Sequence, residues 1–166
     1  LADLDDSASR SFILNEEVEF GDMALTEVMR GCSRGCRFCA AGYIYLPPRE
    51  RSLENLLEQV DSGLCQRERI GLVGSAVADH LQIAELQQEI MARGGEVSVS
   101  SLRLDALTRA EAEQLQAAGL KTVAIAPEAG SQRMRDLINK NLDEEQILHA
   151  VQLLADAGLM NIKLYI

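Results

Sequence analysis

Three of the four cysteines, Cys32, Cys36 and Cys39, lie within eight residues and form a C-x3-C-x2-C motif. Thiolates are soft ligands that suit iron–sulfur clusters or zinc, and this spacing lets three of them converge on one point. Gly31 and Gly35 relieve the tight backbone turns that such a loop requires. A cluster of four irons held by three thiolates leaves one iron open to bind a substrate directly. The motif therefore predicts a metal site.

Two other kinds of metal site would need a fourth protein ligand. A closed zinc site is tetrahedral, and Cys65, His80 or His149 would have to complete it, although none lies at the short spacing of a zinc knuckle. A ferredoxin-like electron carrier needs a fourth cysteine close to the others, as in C-x2-C-x2-C-x3-C, and the sequence has none there. We expect Cys65 to be a small packing residue and both histidines to lie on the surface of helices.

The cysteines follow the first strand of a repeating alternation of short apolar runs and longer amphipathic stretches. We predict strands at 24–30, 69–73, 96–100 and 121–125, a fifth strand from about 162, and a helix at 80–92. Three other helices have N-terminal caps, namely Ser52, Thr108 with Glu111, and Asp143 with Gln146. Strands joined by helices imply a parallel sheet with right-handed connections, either an open doubly wound sheet or part of a barrel.

In both folds, ligands bind at the carboxyl ends of the strands. Besides the cysteines, these ends carry Gly74 and Ser75, Ser101 and Arg103, and Glu128. We therefore expect four strands to direct polar groups to one rim of the sheet.

Length and composition predict a folded domain without a membrane span. The chain has 166 residues, of which 47% are hydrophobic, and no apolar run approaches the length that spans a bilayer. A net charge of −10 argues against a nucleic-acid partner. Positive charge is concentrated near the cysteines, which suits a local anionic ligand, through Arg30, Arg34, Arg37, Arg49 and Arg51. Crowded cysteines without a secretion signal indicate a reducing cytoplasm.

The chain is predicted to divide into an acidic lead-in or linker at residues 1–22 and a core at 23–166. It starts at Leu1 and stops within an apolar stretch, so we interpret it as an excised fragment whose fifth strand is truncated.

The motif, with Phe38 before its last cysteine and a β/α repeat after it, resembles the hallmark of the radical S-adenosylmethionine (SAM) superfamily. The resemblance covers roughly residues 20–166, and the block 30–52 is most similar to the branch whose radical domain follows a cobalamin-binding domain. It implies a partial TIM-like barrel and a [4Fe–4S] cluster on the three cysteines. SAM would chelate the open iron and, on reduction, give methionine and a 5′-deoxyadenosyl radical that takes hydrogen from a substrate.

The resemblance also implies roles for residues around the cluster. Gly74 and Ser75 stand where the family often has Gly-Gly-Glu for the methionine amino group, but the acidic residue is absent here. Ser101 and Arg103 resemble a pair that binds the ribose or the methionine carboxylate, although Arg103 could instead pair with Asp105 or Glu128. Glu128 would accept the ribose hydroxyls, or else stabilise the start of the next helix. Phe38 would pack beside the cluster while neighbouring backbone contacts adenine, or else belong to the core.

The expected partners are SAM, an electron donor and an unknown substrate, and methylation, rearrangement and hydrogen abstraction all stay open. Cobalamin would belong to a neighbouring domain absent from this chain. The alternative function is a zinc-binding structural or interaction module without catalysis. An unfinished barrel would leave an apolar edge, and we expect the chain either to self-associate through this edge or to leave it ragged. Surface thiolates would oxidise and lose iron in air.

Overall fold

Strands that pair in parallel and the helices between them dominate the computed structural model, which describes residues 3–99, 103–117 and 122–166. The described residues form two compact units. The first unit comprises those in 1–33 and 40–101, and the second comprises those in 34–39 and 102–166.

The helices and strands follow the predicted β/α order. The strands are β1 (Met23–Glu27), β2 (Met29–Arg30), β3 (Arg49–Glu50), β4 (Arg69–Val73), β5 (Glu96–Val99), β6 (Thr122–Ile125) and β7 (Asn161–Leu164). The helices are α1 (Ala41–Ile44), α2 (Leu53–Leu64), α3 (Ile83–Ala92), α4 (Arg109–Ala117), α5 (Gln132–Leu137) and α6 (Glu144–Asp156). Short 3₁₀ helices span Val77–Asp79 and Leu104–Ala106.

The first unit is a parallel sheet in the order β1-β4-β5, with α2 and α3 packed against it. Ser52 caps α2 as predicted, because its hydroxyl accepts the Asn55 N–H at 3.2 Å. The apolar faces of the sheet and the helices share one core, which includes Val28, Leu56, Val60, Ile70, Leu72, Leu86 and Ile90.

The first strand is shorter than the 24–30 predicted from the sequence. β1 ends at Glu27, and the Val28 N–H still bonds to the Val73 carbonyl at 2.9 Å, at the end of β4. The chain then leaves this sheet, and β2 pairs antiparallel with β3. An apolar run alone does not reveal which partner a strand finds, so the change of sheet was missed.

Residues 4–11, within the predicted lead-in, pack against the first unit. Leu4 is buried. The Ser11 N–H bonds to the Leu25 carbonyl at 2.8 Å, and the Glu27 N–H bonds to the Ser9 carbonyl at 2.9 Å. These bonds cover the edge of β1 that β4 leaves open, and unpaired edges of this kind are prone to bind other strands.

Arg51 joins this segment to the end of β1 in a buried polar network. Its side chain is fully buried, and its guanidinium donates to the carbonyl oxygens of Leu4 and Ser7, the latter at 2.6 Å. It also pairs with the Glu27 carboxylate at 3.2 Å. These partners of Nη1 and Nη2 offset the cost of burying the cation, whereas the Arg51 Nε has no hydrogen-bond partner among the described residues.

His80 was predicted to be a surface residue of a helix, and this prediction was wrong. The helix begins only at Ile83, and His80 follows the 3₁₀ helix with only 3% of its surface exposed. Its Nδ1 accepts the Gln82 N–H at 3.1 Å, so Nε2 carries the proton and donates to the Arg51 carbonyl at 3.0 Å. The polar contact with Arg51, far away in sequence, is what allows the ring to be buried.

The second unit contains the parallel pair β6-β7 with α4 and α6. Both predicted capping boxes are present. The Thr108 hydroxyl accepts the Glu111 N–H at 3.2 Å, and the Asp143 carboxylate accepts the Gln146 N–H at 2.7 Å. The core is apolar and includes Leu104, Leu107, Val123, Ile125, Ala150, Leu154 and Leu159.

Among the described residues, no helix is both long and apolar enough to cross a membrane.

Replacement of Arg51 should destabilise the first unit strongly. We expect Arg51→Met to lower the free energy of unfolding by about 3 kcal/mol, because it breaks a buried charged network. The Ser7 carbonyl, the Leu4 carbonyl and the Glu27 carboxylate would each lose a donor. Urea unfolding measures the difference.

Arg69→Met is the matched control. Arg69 also pairs with two carboxylates, of Asp22 at 2.6 Å and Glu96 at 2.7 Å, but its side chain is 39% exposed. Exposed pairs contribute little, so the control should lose less than about 1 kcal/mol. Equal losses in the two variants would contradict a special role for the buried network.

Glu27 should make the stability of the protein depend on pH. Burial by itself raises the pKa of Glu27, but hydrogen bonds from Arg30, Ser9 and Arg51 outweigh it and hold the pKa below its ordinary value of 4.5. A lowered pKa in the folded state adds stability above the unfolded value, and that stability is lost as pH falls through the folded pKa. Glu27→Gln should therefore be less stable than the natural sequence at pH 7, and the difference should shrink below about pH 4.5.

Urea midpoints at pH 7 and in acid measure this difference. Glu58→Gln, at an exposed position on α2, controls for the loss of one negative charge. A Glu27→Gln difference that stays constant with pH would show that the carboxylate is not responsible.

Candidate metal centre

The three cysteines of the motif lie on a loop between β2 and α1. All three are free thiols with partly exposed side chains. Gly31 and Gly35 have φ values of +91° and +66°, so the two glycines provide left-handed turns, as the motif predicted. The Cys39 N–H bonds to the Cys36 carbonyl at 3.1 Å, which closes a turn between these two cysteines.

Cys32 packs against the core of the first unit. Gly31 before it also lies too close to the Tyr45 carbonyl to accommodate a side chain. The position of Cys32 therefore depends on a glycine for two reasons, the backbone conformation and the available space.

Residues 34–38 contact the residues that follow α5. The Arg37 N–H bonds to the Ile138 carbonyl at 2.9 Å. The Asn139 side-chain amide donates to the carbonyl of Gly35 at 2.8 Å and to that of Arg34 at 3.3 Å. Sequence reasoning missed Asn139, because nothing in its local pattern indicates a partner about a hundred residues earlier.

Cys36 lines a cavity of about 90 Å³ within the second unit, with charged residues around it. Arg34, Arg103 and Lys140 contribute positive charge, and Asp105 contributes negative charge. The Asp105 carboxylate pairs with Arg34 at 3.4 Å and also with Arg103. The guanidinium and ammonium groups around this cavity are donors of the kind that bind an anionic ligand.

Arg103 and Glu128 both form ion pairs. The sequence left the partner of Arg103 open and did not predict one for Glu128. The pairing of Arg103 with Asp105 is one of the alternatives kept for it. The Glu128 carboxylate lies 3.6 Å from the Lys140 ammonium, and its N–H donates to the Tyr165 carbonyl at 3.0 Å. Glu128 has a φ of +66°, an uncommon conformation for a residue with a side chain.

Phe38 is not a core residue, since 53% of its surface is exposed. Lys140 lies 5.8 Å from the centre of its ring, within the range of a cation–π interaction.

Gly74 and Ser75 come directly after β4, at the predicted strand end. A Cβ atom at Gly74 would lie 2.9 Å from the Met29 Cγ atom and 3.1 Å from the Met29 carbonyl oxygen, so packing alone already demands a glycine. Ser75 is exposed. Ser101 lies outside the described residues.

Most of the basic cluster predicted to serve an anionic ligand is engaged in internal contacts. Arg51 is buried in its network, and Arg30 pairs with Glu27 at 2.7 Å. The Arg37 guanidinium donates to the Leu137 carbonyl. Arg34 remains beside the cavity through its pair with Asp105.

The residues considered as a fourth zinc ligand do not join the cysteines. His80 is committed to the Arg51 carbonyl, and His149 is exposed on α6, as predicted for a surface residue. Cys65 is exposed at the end of α2, where its thiol donates to the Asp61 carbonyl at 3.2 Å. The prediction of Cys65 as a packing residue was therefore wrong, because it lies at the end of the helix instead of on its buried face.

Within residues 3–99, 103–117 and 122–166, no three Cys, His, Asp or Glu side chains are gathered closely enough to hold a metal ion. The chemistry of the donor set nevertheless fits an iron–sulfur cluster, since three free thiols on one short loop can supply three thiolates.

A family model described as the radical SAM superfamily matches residues 26–166. An uncharacterized protein of Methanocaldococcus jannaschii is 38% identical over 153 residues, which cover 91% of this chain and 34% of the relative. The chain thus spans about a third of the length of this curated relative.

Two solved structures share the α/β fold. OxsB, a cobalamin-dependent S-adenosylmethionine radical enzyme, matches with a TM-score of 0.55 and 20% identity over 84% of this chain and 23% of its own. HydG, a maturase of the [FeFe]-hydrogenase, matches with a TM-score of 0.50 and 15% identity over 84% of this chain and 33% of its own. At these identities, the likeness shows the fold alone.

Proposed function

The chain belongs to the radical SAM superfamily, and from that premise we propose that it is an enzyme core that binds a [4Fe–4S] cluster through Cys32, Cys36 and Cys39 and cleaves SAM. The match of the family model across the motif is the observation that carries this proposal. When bound and reduced, the cluster supplies an electron that breaks a C–S bond of SAM to give methionine and a 5′-deoxyadenosyl radical.

The number of cysteines supports an open iron. The loop offers three thiols, while Cys65, His80 and His149 are engaged or exposed elsewhere. A cluster held by three protein ligands keeps one iron free for the amino and carboxylate groups of SAM. The chain's own task is then to orient SAM and to exclude competing reactions.

We assign the cavity beside Cys36 to the methionine end of SAM. Arg103 would bind the carboxylate, since a planar guanidinium matches carboxylate geometry. Asp105 and the ligand carboxylate would then share this guanidinium. Arg34 and Lys140 add positive charge around the same cavity. Glu128, whose carboxylate faces Lys140, would accept hydrogen bonds from the ribose hydroxyls.

Three further assignments rest on the family resemblance. The backbone at Gly74 and Ser75 would accept hydrogen bonds from the methionine amino group, and Ser101 would contact the ribose or the carboxylate. Phe38 is exposed enough to cover a bound cluster. The alternating strands and helices would form part of a TIM-like barrel, with β7 as its fifth strand.

We also propose a cobalamin-binding domain elsewhere in the whole protein, an external electron donor and a location in the cytoplasm. OxsB is described as cobalamin-dependent, which makes cobalamin the first cofactor to test. The substrate and the type of reaction stay open, because one fold hosts many functions.

Anaerobic reconstitution tests the proposed cluster. We expect a brown protein with about four irons per chain, and reduction with dithionite should convert SAM to 5′-deoxyadenosine and methionine. Cys32→Ala, Cys36→Ala and Cys39→Ala should each lose most of the iron and of the cleavage, whereas the control Cys65→Ala should keep both.

Two outcomes would contradict this function. A colourless protein with one zinc per chain would identify a zinc-binding module without catalysis. Loss of iron in Cys65→Ala would reveal a fourth protein ligand, and the iron would no longer be open to SAM.

Self-association through β7 is a further proposal. In the described part of the chain, β7 pairs only with β6, and Leu164 at its end is half exposed. An unpaired strand edge can pair with another chain, and a second charge close to Lys163 should discourage that pairing. Sedimentation at rising concentration should show dimers that Leu164→Lys weakens, and a protein that stays monomeric would contradict the proposal.

A further inference from the structure

Four consecutive residues at the end of α5 and just after it, 137–140, contact the loop that carries Cys36 and Cys39. We call these four residues the α5 clasp. Two of its backbone carbonyls accept from Arg37. The Leu137 carbonyl accepts from the guanidinium, and the Ile138 carbonyl accepts from the N–H at 2.9 Å. The next residue, Asn139, donates back to the loop. Lys140 completes the contacts above the Phe38 ring.

The contacts satisfy groups on both sides. The last carbonyls of a helix have no partner within it, and Arg37 supplies donors to two carbonyls at the end of α5. A guanidinium is also favoured there by the helix dipole. In return, the Gly35 and Arg34 carbonyls receive the Asn139 amide at 2.8 and 3.3 Å. A loop without regular structure needs such external partners.

From these contacts we propose that Asn139 is a positioning residue for Cys36 and Cys39. It fixes the backbone on the N-terminal side of Cys36, and the Arg37 N–H bond fixes the backbone on the other side. This inference rests on the proposed function, because positioning matters for chemistry only if the two cysteines bind the cluster.

An asparagine meets two requirements at this position. Its φ of +55° lies in the left-handed region, which asparagine enters more readily than most residues. Its side chain also ends in an N–H₂ group that can donate to two carbonyls at once. Aspartate shares the tolerance for this backbone but offers only oxygen atoms when ionised. Its carboxylate would then face the carbonyls of Arg34 and Gly35 and repel them.

Gly35 lies close to the same amide of Asn139. Its φ is +66°, and a Cβ atom there would lie 3.3 Å from the Asn139 Nδ2 atom. A side chain would therefore strain the backbone and also press on the donor. A glycine at position 35 is therefore favoured both by the turn and by the contact with the α5 clasp.

Asn139→Asp is the test, with Asn141→Asp as its matched control. Asn141 has almost the same backbone, with a φ of +53°, but its side chain makes no hydrogen bond to the loop in the described structure. The two variants change the charge equally, but only Asn139→Asp removes a donor to the loop. Asn139→Gly is the second variant, because glycine accepts the left-handed backbone without strain while it removes the amide.

The first readout needs no cluster. Hydrogen exchange of the Arg37 amide reports directly on its bond to Ile138. We expect both Asn139 variants to exchange this amide about tenfold faster, the effect of losing roughly one or two net hydrogen bonds. Asn141→Asp should exchange as the natural sequence does, and the amides of α6 should be unchanged in all variants.

The second readout follows reconstitution under anaerobic conditions. We expect the Asn139 variants to take up less iron, and the electron paramagnetic resonance spectrum of the reduced cluster to respond less to added SAM. Asn141→Asp should match the natural sequence in both measurements.

The outcomes separate this inference from the proposed function. If the natural sequence takes up no iron, the proposed function fails, and with it the role of the clasp in chemistry. If the natural sequence forms the cluster but the Asn139 variants match it in exchange, iron and spectrum, only the clasp is overturned. Faster exchange with an unchanged cluster would show that Asn139 has a structural role alone, which also overturns the inference.

Discussion

The structure around the cysteines depends on one constraint, which is that a loop without regular structure cannot pair its own backbone polar groups. An unpaired polar group costs free energy when it leaves water. Here the carbonyls of Arg34 and Gly35 and the N–H of Arg37 find partners in the α5 clasp. The second half of the motif therefore has its conformation set by residues that lie about a hundred positions later in the chain.

The first unit solves a related problem at the end of β1. There the chain must leave one sheet and join another just before the motif, which exposes polar groups inside the fold. Arg51 supplies donors to carbonyls of residues 4–7 and to Glu27, and its own carbonyl accepts from His80. One buried residue thus joins the lead-in segment and the end of β1 through its side chain, and the loop after the 3₁₀ helix through its backbone. These contacts hold the strand end next to the motif.

The sequence predicted what local rules control and missed what long-range pairing controls. The β/α order, the caps at Ser52 and Asp143 and the turns at the two motif glycines follow from neighbours a few residues apart, and the structure contains all of them. The burial of His80 was missed because its partner is the Arg51 carbonyl. Asn139 was missed for the same reason, since no local pattern links it to Gly35. The roles assigned to Gly74, Ser75, Ser101 and Glu128 come from the family resemblance and are still predictions.

The chain orders the backbone around the thiols, and the cofactor completes the ordering of the ligands. The backbone on either side of Cys36 is held, yet no three donors are gathered into a metal site within the described residues. A thiolate triad in close contact would repel itself without a metal between the sulfurs. Metal binding and the final ordering of ligands are therefore coupled, and part of the binding free energy is spent on that ordering. A chain that fixes the backbone around Cys36 in advance lowers this cost, because less of the loop is then ordered at the moment of binding.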